Sequence, residues 1–113
     1  MHELSIALGI VKIAETETRK AGASAVEKIE LLIGSLSGVE QDALHFVWPM
    51  AVKGSVLENA ALDIETVPAK ARCLECEREF DLEHIYDACP HCNSYFKNIL
   101  QGKELQVKAL EVV

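Results

Sequence analysis

Aromatic side chains are scarce in this sequence. Its 113 residues include three Phe, two Tyr and one Trp, yet half of them are hydrophobic. A packed interior must therefore be built from Val, Ile, Leu and Ala. No apolar run approaches the ~18 residues needed to span a bilayer, so no membrane insertion is expected. The first apolar stretch is broken by Lys12 and Glu15, and no basic segment precedes it, which argues against a secretory leader. Positive charge is also short: 11 Lys and Arg stand against 18 Asp and Glu, a net charge of −7. A surface that displaces counterions from phosphates needs the opposite balance, so nucleic acid is excluded as an expected partner. There is no Ser/His/Asp set, no phosphate loop, and no carboxylate pair placed for proton transfer. An enzyme is not expected.

Cysteine is missing everywhere except between residues 73 and 92, where all four occur. They form two pairs, Cys73-Leu-Glu-Cys76 and Cys89-Pro-His-Cys92. Each C-x-x-C turn aims two thiolates at one point, and two facing turns make a tetrahedral cage of four sulfurs suited to Zn2+. The segment repeats itself: both halves read C-x-x-C-x-x-x-F, ending at Phe80 and Phe96. Each Phe falls where a strand leaving its turn could pack beside the metal. Two disulfides or a redox C-x-x-C would need an oxidising compartment or a βαβ setting, and neither is evident. Metal-spaced free cysteines fit a reducing cytoplasm.

The rest of the chain reads as an α+β base. Residues 4–20 have helical spacing through Leu4, Ala7, Leu8, Val11 and Ala14, widened by Ile6, Ile10 and Ile13. Arg19 and Lys20 suit the negative end of the helix dipole, and Gly22 suits the stop. Residues 26–33 read as a strand. Residues 39–51 return to helical spacing through Val39, Ala43, Phe46, Val47 and Met50, and Pro49 should kink or end that helix near Val47. Glu40 and Asp42 complement its N-terminal dipole. The Ser55-x-x-Glu58 pattern allows one short helical turn. Residues 62–67 and 104–112 alternate as strands, and these two could pair with each other as a ladder with the cysteine module at its tip. The expected architecture is two helices on a small, about three-stranded mixed sheet with an inserted zinc-ribbon-like four-cysteine module. The base covers residues 1–68 and 100–113, and the zinc-binding module residues 69–99.

Four histidines remain. His45, among apolar residues, reads as a partly buried, satisfied side chain, His84 as exposed, and His91 as exposed or lying behind the cysteine shell. His2 differs, because it sits beside the amino group of Met1. Terminal amine, His2 amide and imidazole can chelate in a plane with fused rings, a geometry suited to Ni(II) or Cu(II) and not to Zn2+. Glu3 could add its backbone nitrogen or its carboxylate. The bland alternative is an exposed terminal histidine.

Taken together, certain residues carry a family resemblance. They are Met1-His2-Glu3-Leu4-Ser5-Ile6-Ala7, Gly34-x-x-x-Gly38-Val39, Phe46, Leu62-x-Ile64-Glu65-x-x-Pro68, the two C-x-x-C pairs and Ile99-Leu100-x-Gly102-x-Glu104-Leu105. The whole chain resembles the HypA/HybF hydrogenase maturation nickel metallochaperones. The resemblance implies a nickel-binding α/β domain, a structural Zn2+ site, and delivery of Ni2+ to the [NiFe]-hydrogenase large subunit with a HypB-type GTPase chaperone. It implies His2 as the principal nickel ligand, completed by the Met1 amine and Glu3, with Glu40 as a further acidic candidate. The chain departs from the family pattern where Glu77 and Asn93 directly follow the two C-x-x-C turns. The rival functions are a zinc-ribbon protein–protein interaction module without nickel transfer and a rubredoxin-like iron carrier.

Overall fold

The computed structural model describes residues 2–113. Eight elements follow in order: α1 (Glu3–Lys20), β1 (Val26–Gly34), α2 (Gln41–Val52), β2 (Ala61–Val67), β3 (Lys70–Cys73), β4 (Glu79–Asp81), β5 (Lys97–Gln101) and β6 (Leu105–Val112). They build two three-stranded sheets, ordered β2-β1-β6 and β4-β3-β5. The chain condenses into two compact units. One comprises Met1–Leu31, Val39–Glu65 and Gln106–Val113, and the other Leu32–Gly38 and Thr66–Leu105.

In the first unit α1 packs against α2. Helix α1 buries Ala7, Ile10, Ala14 and Thr18, and its last turn carries Arg19 and Lys20 at the negative end of the dipole. The buried stripe lies beside the one that spacing favours: Leu4, Leu8 and Ile13 are exposed. Helix α2 shows the same shift more strongly. It buries Leu44, Trp48, Ala51 and Val52, while Phe46 is 86% exposed and Met50 64% exposed. Both sets satisfy helical spacing, and packing against the rest of the first unit selects the one with Leu44 and Trp48. His45 consequently lies on the exposed face, contrary to the expected partly buried position.

Pro49 does not end the helix at Val47, as its ring chemistry suggests it should; α2 continues to Val52. Proline removes the hydrogen bond to the carbonyl four residues back, here that of His45. Both residues are exposed, so water can satisfy that carbonyl. The helix stops at Lys53, and Gly54 follows with φ +78°. The Ser55–Glu58 pattern makes turns and not helix: Ser55 Oγ accepts from Leu57 N at 3.1 Å, and Glu58 Oε2 from Gly54 N at 2.9 Å.

The strands flanking the cysteine module do not pair with each other. β1 lies between β2 and β6. The reason is in the side chains: β1 buries Val26, Ile29, Leu31 and Ile33, whereas β2 and β6 contain no fully buried residue. The most apolar strand takes the centre and the half-polar ones take the edges.

Within the second unit β3 is the central strand, antiparallel to both neighbours. Ala71 pairs with Phe80 on β4 and with Ile99 on β5, with an irregularity beside Lys70. Ala69, Ala71, Cys73, Phe80, Leu82 and Cys89 form a small buried cluster, with Leu36, Cys76 and Ile99 packed against it. Gly34 and Gly102 approach closely here: Gly34 N donates to Glu104 O at 2.8 Å and Leu36 N to Gly102 O at 2.7 Å. A Cβ on Gly34 would collide with the Gly102 carbonyl, so only glycine fits.

Candidate metal centres

The four cysteines are brought together by two copies of one turn. Cys73 ends β3, and Glu77 N donates to its carbonyl at 3.1 Å; Asn93 N donates to the Cys89 carbonyl at 2.8 Å. The amides of the two leading cysteines are also matched, Cys73 N donating to Arg78 O at 2.9 Å and Cys89 N to Ser94 O at 2.8 Å. Each turn closes through a left-handed residue, Glu77 at φ 64° and Asn93 at φ 62°. Asparagine tolerates that conformation; glutamate adopts it at a cost.

All four cysteines are free, and their sulfurs lie within 4.8 Å of one another. Cys73 Sγ is 3.5 Å from Cys92 Sγ, and Cys76 Sγ 3.7 Å from Cys89 Sγ. A tetrahedron of Zn–S bonds of about 2.3 Å has edges of about 3.8 Å. The spacing therefore fits a tetrathiolate shell. So does the electrostatics. The Cys76 amide, with the Glu75 amide and the neighbouring thiols, outweighs desolvation and draws Cys73 down to about 6. At Cys92 the Ser94 amide lowers the pKa, but the Cys73 sulfur, desolvation and the other two sulfurs overcome it and push the thiol up to about 12. Crowded sulfurs resist ionising together unless a cation neutralises them.

The repeat is imperfect beyond the turns. Phe80 is buried beside the cysteines, but Phe96 is 68% exposed, and only its carbonyl is used, accepting from Leu74 N at 3.0 Å. The expectation that both rings pack beside the metal fails for Phe96, which precedes β5 instead of lying within it. His91 is exposed and meets Arg78, whose Nη1 donates to its Nδ1 at 3.4 Å. His84 is exposed as well, with Asp87 Oδ1 3.6 Å from its Nδ1 and its ring stacked on Tyr86.

The second candidate centre lies at the start of α1. His2 is the exposed N-cap residue, makes no capping hydrogen bond with its side chain, and accepts from Ile6 N at 3.1 Å through its carbonyl. Met1 lies outside the described residues. Glu3 Oε2 accepts from Glu40 N at 3.2 Å, and this bond is the main cause that holds the Glu3 carboxyl below its ordinary value. The Glu40 carboxylate caps α2, its Oε1 accepting from Asp42 N at 3.1 Å. The structure thus joins two acidic candidates 37 residues apart, a contact that no local pattern reveals.

Comparison with known proteins decides the family. A family model described as hydrogenase/urease nickel incorporation, metallochaperone, HypA matches residues 1–112. The chain belongs to this family. It is 46% identical over 112 residues to the hydrogenase maturation factor HypA of Parabacteroides distasonis, covering 99% of this chain and 97% of that one. It is 43% identical over 113 residues to the HypA of Geotalea daltonii, covering 100% of both. A solution structure of the Ni metallochaperone HypA from Helicobacter pylori superposes with a TM-score of 0.73 at 26% identity, over 100% of this chain and 98% of that one. Among the described residues, no helix is long and apolar enough to cross a membrane.

Proposed function

We propose that this chain binds Ni(II) at its amino terminus and hands it on for maturation of [NiFe]-hydrogenase, with a Zn2+ held by Cys73, Cys76, Cys89 and Cys92. Family membership carries the reading, and the convergence of four free thiols supports the zinc assignment. A closed shell of four sulfurs leaves no open position for a substrate, so the zinc organises structure. The first unit would then be the nickel-binding part and the second the zinc-binding part.

Nickel is cargo here. His2 supplies its imidazole, the Met1 amine and the intervening amide complete fused chelate rings, and Glu3 adds a donor. His2 is exposed and free of capping bonds, which leaves the imidazole available. The Glu3 amide belongs to the first helical turn, where backbone N–H groups have no intrahelical acceptor, so its use as a nitrogen donor breaks no helix bond. The partners are a HypB-type GTPase chaperone and the large subunit of the hydrogenase.

Nickel titration of the untagged chain beside His2→Ala tests this reading. His2→Ala abolishes specific Ni(II) binding and leaves zinc content and fold unchanged. Tight, stoichiometric nickel binding by His2→Ala ends it and favours an interaction module without nickel transfer.

A further inference from the structure

The Glu3 carboxylate is already engaged. Its Oε2 accepts from the backbone N–H of Glu40, the N-cap residue of α2, at 3.2 Å. That donor has no place in the helix's own bonding, because α2 begins only at Gln41. The bond therefore satisfies a group that would otherwise need water. It also ties the first residue of α1 to the first turn of the helix packed against it. His2 lies immediately before this tie. Its backbone is extended, at φ −87° and ψ 91°, and no side-chain cap holds it.

We infer that the side chain of Glu3 positions the proposed nickel site: its carboxylate latches the start of α1 to the Glu40 N–H, and so fixes the direction in which His2 leaves the helix, and is not itself a ligand, whatever the Glu3 backbone amide donates. The inference rests on the nickel reading given above. Two observations carry it. A carboxylate oxygen used as a ligand would have to leave the Glu40 N–H, with which it makes a charge-assisted bond that already holds the carboxyl below its ordinary value. Moreover, a chelate at a chain end loses affinity when its arm must be ordered on binding, and a latch one residue away removes part of that cost.

A ligand and a latch respond differently to substitution. Glu3→Gln keeps a side-chain carbonyl that can accept from Glu40 N–H but removes the anionic donor, while Glu3→Ala removes both. Glu40→Pro removes the donor N–H and leaves Glu3 intact. The observed φ of −86° at residue 40 is compatible with proline. Glu40→Ala controls for the lost cap while keeping the N–H.

The experiment titrates each zinc-loaded, untagged variant with Ni(II) and follows amide hydrogen exchange at residue 40 where an N–H is present. The latch predicts that Glu3→Gln binds nickel within about twofold of the parent and keeps the residue 40 amide protected. It predicts that Glu3→Ala binds about tenfold more weakly, with that amide exposed, and that Glu40→Pro is weaker than Glu40→Ala by a similar factor. Equal losses in Glu3→Gln and Glu3→Ala, with Glu40→Pro no worse than Glu40→Ala, would show that the carboxylate ligates nickel and overturn the latch. Unchanged affinity in Glu3→Ala overturns it as well. His2→Ala separates this result from the underlying reading, because a wild-type affinity there removes the nickel site itself.

Discussion

Glu77 and Asn93 hold equivalent left-handed positions, φ 64° and 62°, each in the residue that follows a C-x-x-C pair. The two turns are thus one structure made twice from different residues. Left-handed backbone costs a side chain such as glutamate roughly 1–2 kcal/mol, and glycine escapes that cost while losing some stability to its freer unfolded chain. Glu77→Gly is therefore expected to be neutral or stabilising by up to about 1 kcal/mol. Glu77→Val should destabilise by about 1–2 kcal/mol. Urea midpoints of the zinc-loaded variants measure both.

The glycines separate into crowded and open sites. A Cβ on Gly34 meets backbone atoms of Gly102 and Glu104, which cannot rotate away. Gly34→Ala should cost about 2–3 kcal/mol, at the upper end of overpacking. Gly9, inside α1, has nothing within 4 Å of its Cβ position, so Gly9→Ala should stabilise by about 0.5–1 kcal/mol. Equal effects from the two substitutions in a denaturation series would contradict this contrast.

Removal of zinc should unfold one unit and spare the other. The buried cluster around Cys73 and Cys89 contains only Phe80 and Leu82 as large side chains, while metal binding to such sites contributes on the order of 10 kcal/mol. The first unit has its own buried residues on α1 and α2. Amide spectra recorded during chelation should lose dispersion for residues 66–105 and keep it for both helices. A single transition that takes α1 and α2 along would refute the prediction.

Protons and nickel compete for the same nitrogens at the proposed amino-terminal site, so affinity should fall as pH is lowered. An uncleaved extension ahead of Met1 converts the amine into an amide and should abolish tight binding as His2→Ala does. If His45, His84 or His91 supplied the site, such an extension would be harmless.

The parts that were legible in the sequence are those written locally. The spacing of four cysteines placed the sulfur cage, because a C-x-x-C turn needs only its own residues, and the uninterrupted pattern of residues 4–20 placed α1. The faces of the helices were harder to read. In α2 the set containing Phe46 and Met50 and the set containing Leu44 and Trp48 both repeat with helical period, and only tertiary packing chooses between them. Strand order failed for a related reason: alternation marks a strand as half-buried but does not say which neighbour it pairs with. Contacts between distant residues, such as Glu3 with Glu40 and Leu36 with the cysteine cluster, have no sequence signature.

The scarcity of aromatics gives each unit its own optical signature. The sole tryptophan, Trp48, is 7% exposed on α2 in the first unit. Both tyrosines, Tyr86 and Tyr95, lie in the second unit and are 68% exposed. Indole emission, excited at the red edge where phenols do not absorb, thus reports on the helices, while phenol emission at shorter wavelength reports on the cysteine unit. Chelation and nickel titration can therefore be followed separately in the same cuvette, without attaching a dye.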